Sequence, residues 1–233
     1  MRKLSLILIG VLLFSNNAFA ALTKSVEAVD AWLEIVQGAG GIREGAIIDV
    51  SPNYQTTLLI DACLSEAVAE TAGATIFVEI SSNTSGDADW AVLTSFGGPT
   101  GTAESEPLSA DEAAGQTVLS VTNPTTANLD NPARFIFFED TASAANSEII
   151  FQVTNETDTG DTITVLDGLT TAHAAATSLM WFIDSTTTYS NAVAQYVVNI
   201  PDTANRVRVI YDNTHSTAAD IFTRARITKM TGI

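Results

Sequence analysis

Four arginines near the carboxyl end, Arg206, Arg208, Arg224 and Arg226, form two Arg-X-Arg pairs around an Asp212-Asn213 turn, with Lys229 close behind. Guanidinium groups at that density can bind an anion or meet carboxylates. Residues 205–233 hold five bases and two acids, whereas residues 21–204 hold three bases and twenty-five acids. A spacing of two sets Arg206 and Arg208 on one side of a strand and Val207, Val209 and Tyr211 on the other. The stretch therefore reads as a hairpin connected through residues 212–220 rather than as a phosphate loop. On neighbouring strands the two pairs would make one basic face, which needs interleaved carboxylates to be tolerated. Two sources of carboxylate fit. One is the amino-terminal part of the same molecule; the other is the acidic surface of a neighbouring copy, a head-to-tail contact that salt would dissolve.

The remaining chemistry-bearing residues are sparse. No nucleophile elbow, zinc-ligand pair, P-loop or dinucleotide fingerprint occurs. The two histidines, His173 and His215, lie far apart, and His173 reads as the holder of a turn in Ala172-His-Ala-Ala175. Cys63, the single cysteine, sits in the apolar run Leu58–Leu64 and reads as a buried thiol; no intrachain disulfide can form. Asp87 and Asp89 are alternate oxygen ligands on a loop that could take up Ca2+, with Asn155, Asp158 and Asp161 as a second loop of that kind. The competing account is a solvated hairpin tip. Trp32, Trp90 and Trp181 fall in apolar strand patterns and read as core, which leaves Tyr54 and Tyr189 as the rings for a sugar platform.

The first twenty residues supply a charged start (Arg2, Lys3), an apolar run from Leu4 to Phe14 and Ala18-Phe-Ala20, the layout of a secretory signal peptide cut before Ala21. That run is too short to span a bilayer. The formal charge is −17, and becomes −19 without Arg2 and Lys3. Such a chain repels nucleic acid and anionic lipid. The expectation is a secreted protein, extracellular or at a cell surface, with no membrane insertion and no nucleic-acid partner.

Stretches rich in Thr, Val and Ile alternate with period two, as in Thr75–Ile80 and Arg206–Tyr211, and Gly, Pro and Asn clusters separate them. Thirteen strands are expected between Val26 and Thr228. Val26–Val36 also fits a short helix, and Leu64–Ala72 a helical turn or loop. The acidic stretch Glu104–Asp111 reads as a solvated linker, and Asp184–Thr188 as a second boundary. The fold class is all-β, a jelly-roll-like sandwich interrupted by a smaller module. Residues 21–105 and 187–233 form the discontinuous sandwich and residues 106–186 the insert.

"AGQTVLSVTN" (114–123) and "SEIIFQVTNETDTGDTITVLDGLTTAHAAATSLM" (147–180) resemble a small β-barrel or β-roll module of phage-tail, virion and bacterial surface proteins. Ala176 stands where that module has glycine. The flanking segments are similar in texture to virion-type and adhesin-type sandwiches. The resemblance implies an assembly or spacer role and carries no catalytic residues. The expected function is a non-enzymatic structural subunit that associates with itself in a filament or layer, with no cofactor apart from Ca2+ at Asp87 and Asp89. The alternative is a carbohydrate-binding or adhesin module with glycan partners, and a glycosidase comes third.

Overall fold

The computed structural model describes residues 22–36, 38, 41–51, 55–65, 69–86, 89–122, 134–153, 162–183, 192–214 and 220–232. Sixteen strands occur among them: β1 (Leu22–Ile35), β2 (Ile42–Glu44), β3 (Ile48–Asp49), β4 (Gln55–Leu64), β5 (Ala69–Glu70), β6 (Thr75–Ser81), β7 (Ala91–Gly97) and β8 (Gly101–Pro107). There follow β9 (Val118–Ser120), β10 (Arg134–Asp140), β11 (Glu148–Gln152), β12 (Thr162–Thr164), β13 (Ser178–Ile183), β14 (Val193–Ile200), β15 (Arg206–Asp212) and β16 (Ile221–Gly232). Two single 3-10 turns, Ala144–Asn146 and Ala175–Thr177, are the helical content. All ladders are antiparallel.

Two sheets join the chain's ends. One runs β1-β16-β4-β14; the other runs β2-β15-β6-β7, with β3 also on β15. Strands before residue 98 thus ladder with strands after residue 192. The inward side of each follows from period two: Leu58, Ile60, Ala225, Ile227 and Val198 on the first sheet, Ile76, Val78, Val207, Val209 and Tyr211 on the second, all in one buried cluster. Val26–Val36, which fitted strand or helix, is strand, held by its long ladder to β16.

The third sheet runs β11-β10-β13-β8-β5. Its central strands β10 and β13 bury side chains on both faces. Ile136, Phe138, Met180 and Phe182 enter a second core with Leu108, Leu119, Val121, Ile150, Ile163 and Val165, while Phe137 and Trp181 turn into the first cluster. There Phe137 lies 4.9 Å from the ring of Trp32 and 5.3 Å from that of Phe222, packing this sheet on the outward face of the β1 sheet. Burial on both faces explains the unbroken apolar runs Ile136–Phe138 and Met180–Phe182.

Two expectations need correction. The acidic stretch beginning at Glu104 is not a linker: Glu104 and Glu106 lie inside β8, laddered to Phe182 and Met180 of β13. Pairing to an apolar strand satisfies the backbone whatever the side chains, and Glu106 is buried. A boundary at residue 105 therefore falls within a strand of the third sheet. Nor does a closed barrel form among the described residues. The two-stranded sheet β12-β9 is separate, and it meets the third sheet through the single bridges Leu108↔Val121 and Gln152↔Val165. Where the connections cross, Gly168 backs onto Gly115 so closely that a Cβ would stand 2.4 Å from the Gly115 carbonyl oxygen. Of the Leu64–Ala72 stretch, Ala69 and Glu70 form the short edge strand β5, on Thr102 and Gly101.

Candidate functional site

The four arginines do not share a face. β15 pairs with β2, β3 and β6, and β16 with β1 and β4, so the expected hairpin between them is absent and the pairs stand on the outward faces of two different sheets. The physical reason is that Val207, Val209 and Tyr211 on one strand and Ala225 and Ile227 on the other both seek the same core. Two sheets stacked face to face bury both sets; one hairpin with those residues on one side would leave them needing a further layer.

Each arginine is met from within the molecule. Arg208 lies directly across the ladder from Glu79; its Nε donates to Glu79 at 2.7 Å and its Nη1 to Glu44 at 2.5 Å. Burial works against the Arg208 cation, and the two carboxylates outweigh it, raising its pKa further. Arg206 is buried, donating to the carbonyls of Asn83 at 2.7 Å and Ser85 at 3.3 Å. Both guanidiniums lie over the Trp90 ring, at 4.9 Å for Arg206 and 4.2 Å for Arg208. On the other sheet, Arg224 faces Asp61 across the β16–β4 ladder. Arg224 Nε and Nη2 reach Asp61 Oδ2 at 3.0 and 2.8 Å, and Arg226 Nη2 reaches it at 2.9 Å. Gln195 of β14 donates to Asp61 Oδ1 at 2.8 Å, and Arg224 covers the Trp32 ring at 4.4 Å. Asp61 is fully buried beneath this cover. Lys229, at odd spacing from Arg224 and Arg226, falls on the other face of β16, opposite Thr56.

His173 holds its turn through a partner that the sequence did not suggest. Its Nε2 lies 2.9 Å from Glu148 Oε1, while the Thr170 amide and hydroxyl donate to Glu148 Oε2, each at 2.9 Å. Burial pushes the Glu148 carboxyl up, but the hydrogen bonds from His173, Thr170 and Thr171 outweigh it and hold it below the ordinary value. The His173 ring stands edge-on to Phe138 at 4.3 Å, and its backbone bridges Glu112. The signal available in the sequence was a glutamate opening an apolar strand, Glu148 before Ile149-Ile-Phe151, where a carboxylate is retained only with donors around it.

Of the Ca2+ candidates, Asp89 is exposed, with φ 67°, and accepts from Asn83 Nδ2 at 2.8 Å. Asp87 lies outside the described residues, as do Asn155, Asp158, Asp161, His215, Tyr54 and Tyr189. Among the described residues no group of three or more His, Cys, Asp or Glu side chains is placed to hold a metal ion. Trp32 and Trp181 are core, as expected, and Trp90 is half-buried under its arginines. Cys63 is buried, and that burial raises its pKa. No helix among the described residues is long and apolar enough to cross a membrane.

What the arrangement leaves open among the described residues is strand edge. β14 is the outermost strand of its sheet on one side, paired along its whole length to β4 from Val193↔Cys63 to Ile200↔Thr56 with no register shift. β7 is the outermost strand of the facing sheet. The two edges lie on the same side of the sandwich, since the rings of Phe96 and Tyr196 stack at 4.3 Å and the Tyr196 hydroxyl donates to the Gly97 carbonyl. Neither strand carries a charged side chain. Val92, Leu93 and Val197 are exposed along them, Val197 the most so of the large apolar side chains described, at 67%.

No protein-family model and no curated protein matches the chain. Among solved structures, that of infectious bursal disease virus Gx strain is similar at 9% identity, covering 93% of this chain and 83% of that one, with a TM-score of 0.22. That of the Gt strain is similar at 8% identity, covering 91% and 81%, also with a TM-score of 0.22. Scores of that size bear on neither fold nor function.

Proposed function

We propose that the protein is an exported, non-enzymatic structural subunit, building an extracellular, surface or virion-like assembly through contacts between copies of its β-sheets. The observation that carries this reading is the pairing of an internally neutralised charge set with an open, uncharged sheet edge. The arginines that could have captured an anion are spent on Asp61, Glu79, Glu44 and backbone carbonyls. The β14 edge, in contrast, keeps backbone groups unused among the described residues and an exposed Val197, the combination that templates pairing with another chain. The resemblance of residues 114–180 to assembly modules points the same way, and the leader-like first twenty residues support an assembly outside the cell. Negative-stain electron microscopy of the purified protein tests the reading. Filaments, rings or layers support it, and dispersed single particles at all concentrations overturn it.

A further inference from the structure

Sheet edges in natural proteins are blocked by bulges, charges, shortness or cover, and among the described residues β1, β2, β5 and β7 each show one of these devices. β1 is broken by register shifts at Ala28/Asp30 and Asp30/Leu33 and carries Lys24, Glu27, Asp30 and Glu34. β2 is three residues long with Arg43 and Glu44, and β5 is two residues long. β7 is uncharged but its ladder to β6 shifts between Val78 and Glu79. β14, eight residues of regular ladder without charge or bulge, has none of these devices among the described residues.

Its free backbone groups can be assigned. The Leu64 amide donates to the Ala192 carbonyl at 2.8 Å, and the register places Ala192 opposite Leu64, one step beyond Val193↔Cys63. Antiparallel ladders alternate bonded and non-bonded pairs. Ala194, Tyr196, Val198 and Ile200 therefore bond to β4, and the amides and carbonyls of Val193, Gln195, Val197 and Asn199 point to the open side.

Resting on the assembly reading, we propose that β14 pairs antiparallel with β14 of a second copy about a two-fold axis at Val197, joining two four-stranded sheets into one of eight strands. The register is self-complementary. Val197 faces its own copy, while Gln195 faces Asn199 and Asn199 faces Gln195, uncharged side chains on the same face, with no like charges opposed across the ladder. Val193 would meet Pro201, which has no amide hydrogen and ends the ladder. The occupant is a second copy because of charge. A chain of net charge −17 repels itself over most of its surface, and residues 193–200 are where two copies meet without opposing carboxylates. An isologous contact of this kind closes on itself as a dimer, which larger assemblies would use as their unit.

The test combines sedimentation velocity with cross-linking. Val197→Pro removes an amide that β4 does not use, so folding is retained, and it takes away both central hydrogen bonds of the dimer. Self-association is expected to weaken about tenfold or more. Val197→Lys sets two like charges at the axis without touching the β4 ladder and gives the same loss, which covers the case that the proline variant does not fold. Val197→Cys is expected to form a disulfide-linked dimer on mild oxidation, since a Cα separation of about 5.5 Å across a hydrogen-bonded pair suits a disulfide. Association unchanged in both Val197→Pro and Val197→Lys, or no cross-link in Val197→Cys while the protein associates, overturns the pairing and leaves the assembly reading standing. Monomer at every concentration overturns both.

Discussion

Asp61 gathers two arginines and Gln195 on a carboxylate with no exposed surface. Removing one partner of a buried ion pair is costly because the other charges stay behind, whereas Asp61 keeps partners when one arginine goes. Asp61→Ala should therefore destabilise by about 3 kcal/mol and Arg226→Met by about 1 kcal/mol, read by urea denaturation; equal losses would refute this hierarchy. Glu148 supplies a pH-dependent counterpart. Its carboxyl is held below the ordinary value in the folded state, so its contribution is complete above the unfolded carboxylate range and is lost as pH falls through the lower folded value. Glu148→Gln should cost about 1–3 kcal/mol near neutrality, with the gap to wild type closing below about pH 4. Stability curves that stay parallel down to acid would count against it. At this scale the sequence showed that the arginines needed carboxylates and offered the amino-terminal part of the same molecule as one source, yet it could not select Asp61, Glu79 and Glu44. Those contacts span more than 120 residues of chain, and with carboxylates so abundant no local pattern singles out three.

Strand content was legible wherever one face meets solvent, because period two is visible in Thr75–Ser81 and Arg206–Asp212. It was obscured where both faces are buried or both are polar. Ile136–Phe138 is apolar throughout since Ile136 and Phe138 enter one core and Phe137 another. β8 was hidden by its carboxylates, since its hydrogen bonds come from β13 rather than from its own side chains. The hairpin reading failed because adjacency in sequence does not decide which ladder a strand joins. These element-level facts make a prediction about coupling. Phe137 connects the third sheet to Trp32 and Phe222 of the β1 sheet, so Phe137→Ala should cost about 3–5 kcal/mol and split calorimetric unfolding into two transitions. Phe138→Ala opens the second core instead, lowering the melting of that part first. A single transition in the Phe137 variant would show that the sheets remain coupled by other contacts.

For the whole molecule the decisive quantity is the balance between long-range repulsion and short-range pairing. The sequence alone left two partners for the basic strip, acidic residues of the same molecule or the acidic surface of the next copy, the latter an attraction that salt would weaken. With Arg206, Arg208, Arg224 and Arg226 all engaged internally, that attraction is spent within each molecule. What remains between copies is a net charge of −17 on each and an uncharged β14 edge. Screening over a Debye length of about 8 Å at physiological ionic strength removes much of the repulsion, while hydrogen bonds and apolar contact at the edge are little affected. Association should therefore strengthen as salt rises from low to physiological, the reverse of a charge-driven contact. Light scattering across a salt series decides the sign. Dissociation on adding salt would mean that some arginine leaves its internal carboxylate to bridge copies, and Val197→Pro should then have no effect on the salt slope. Strengthening with salt that is abolished by Val197→Pro would tie the assembly to the edge, because only a contact without charges gains from screening what the acidic surfaces lose.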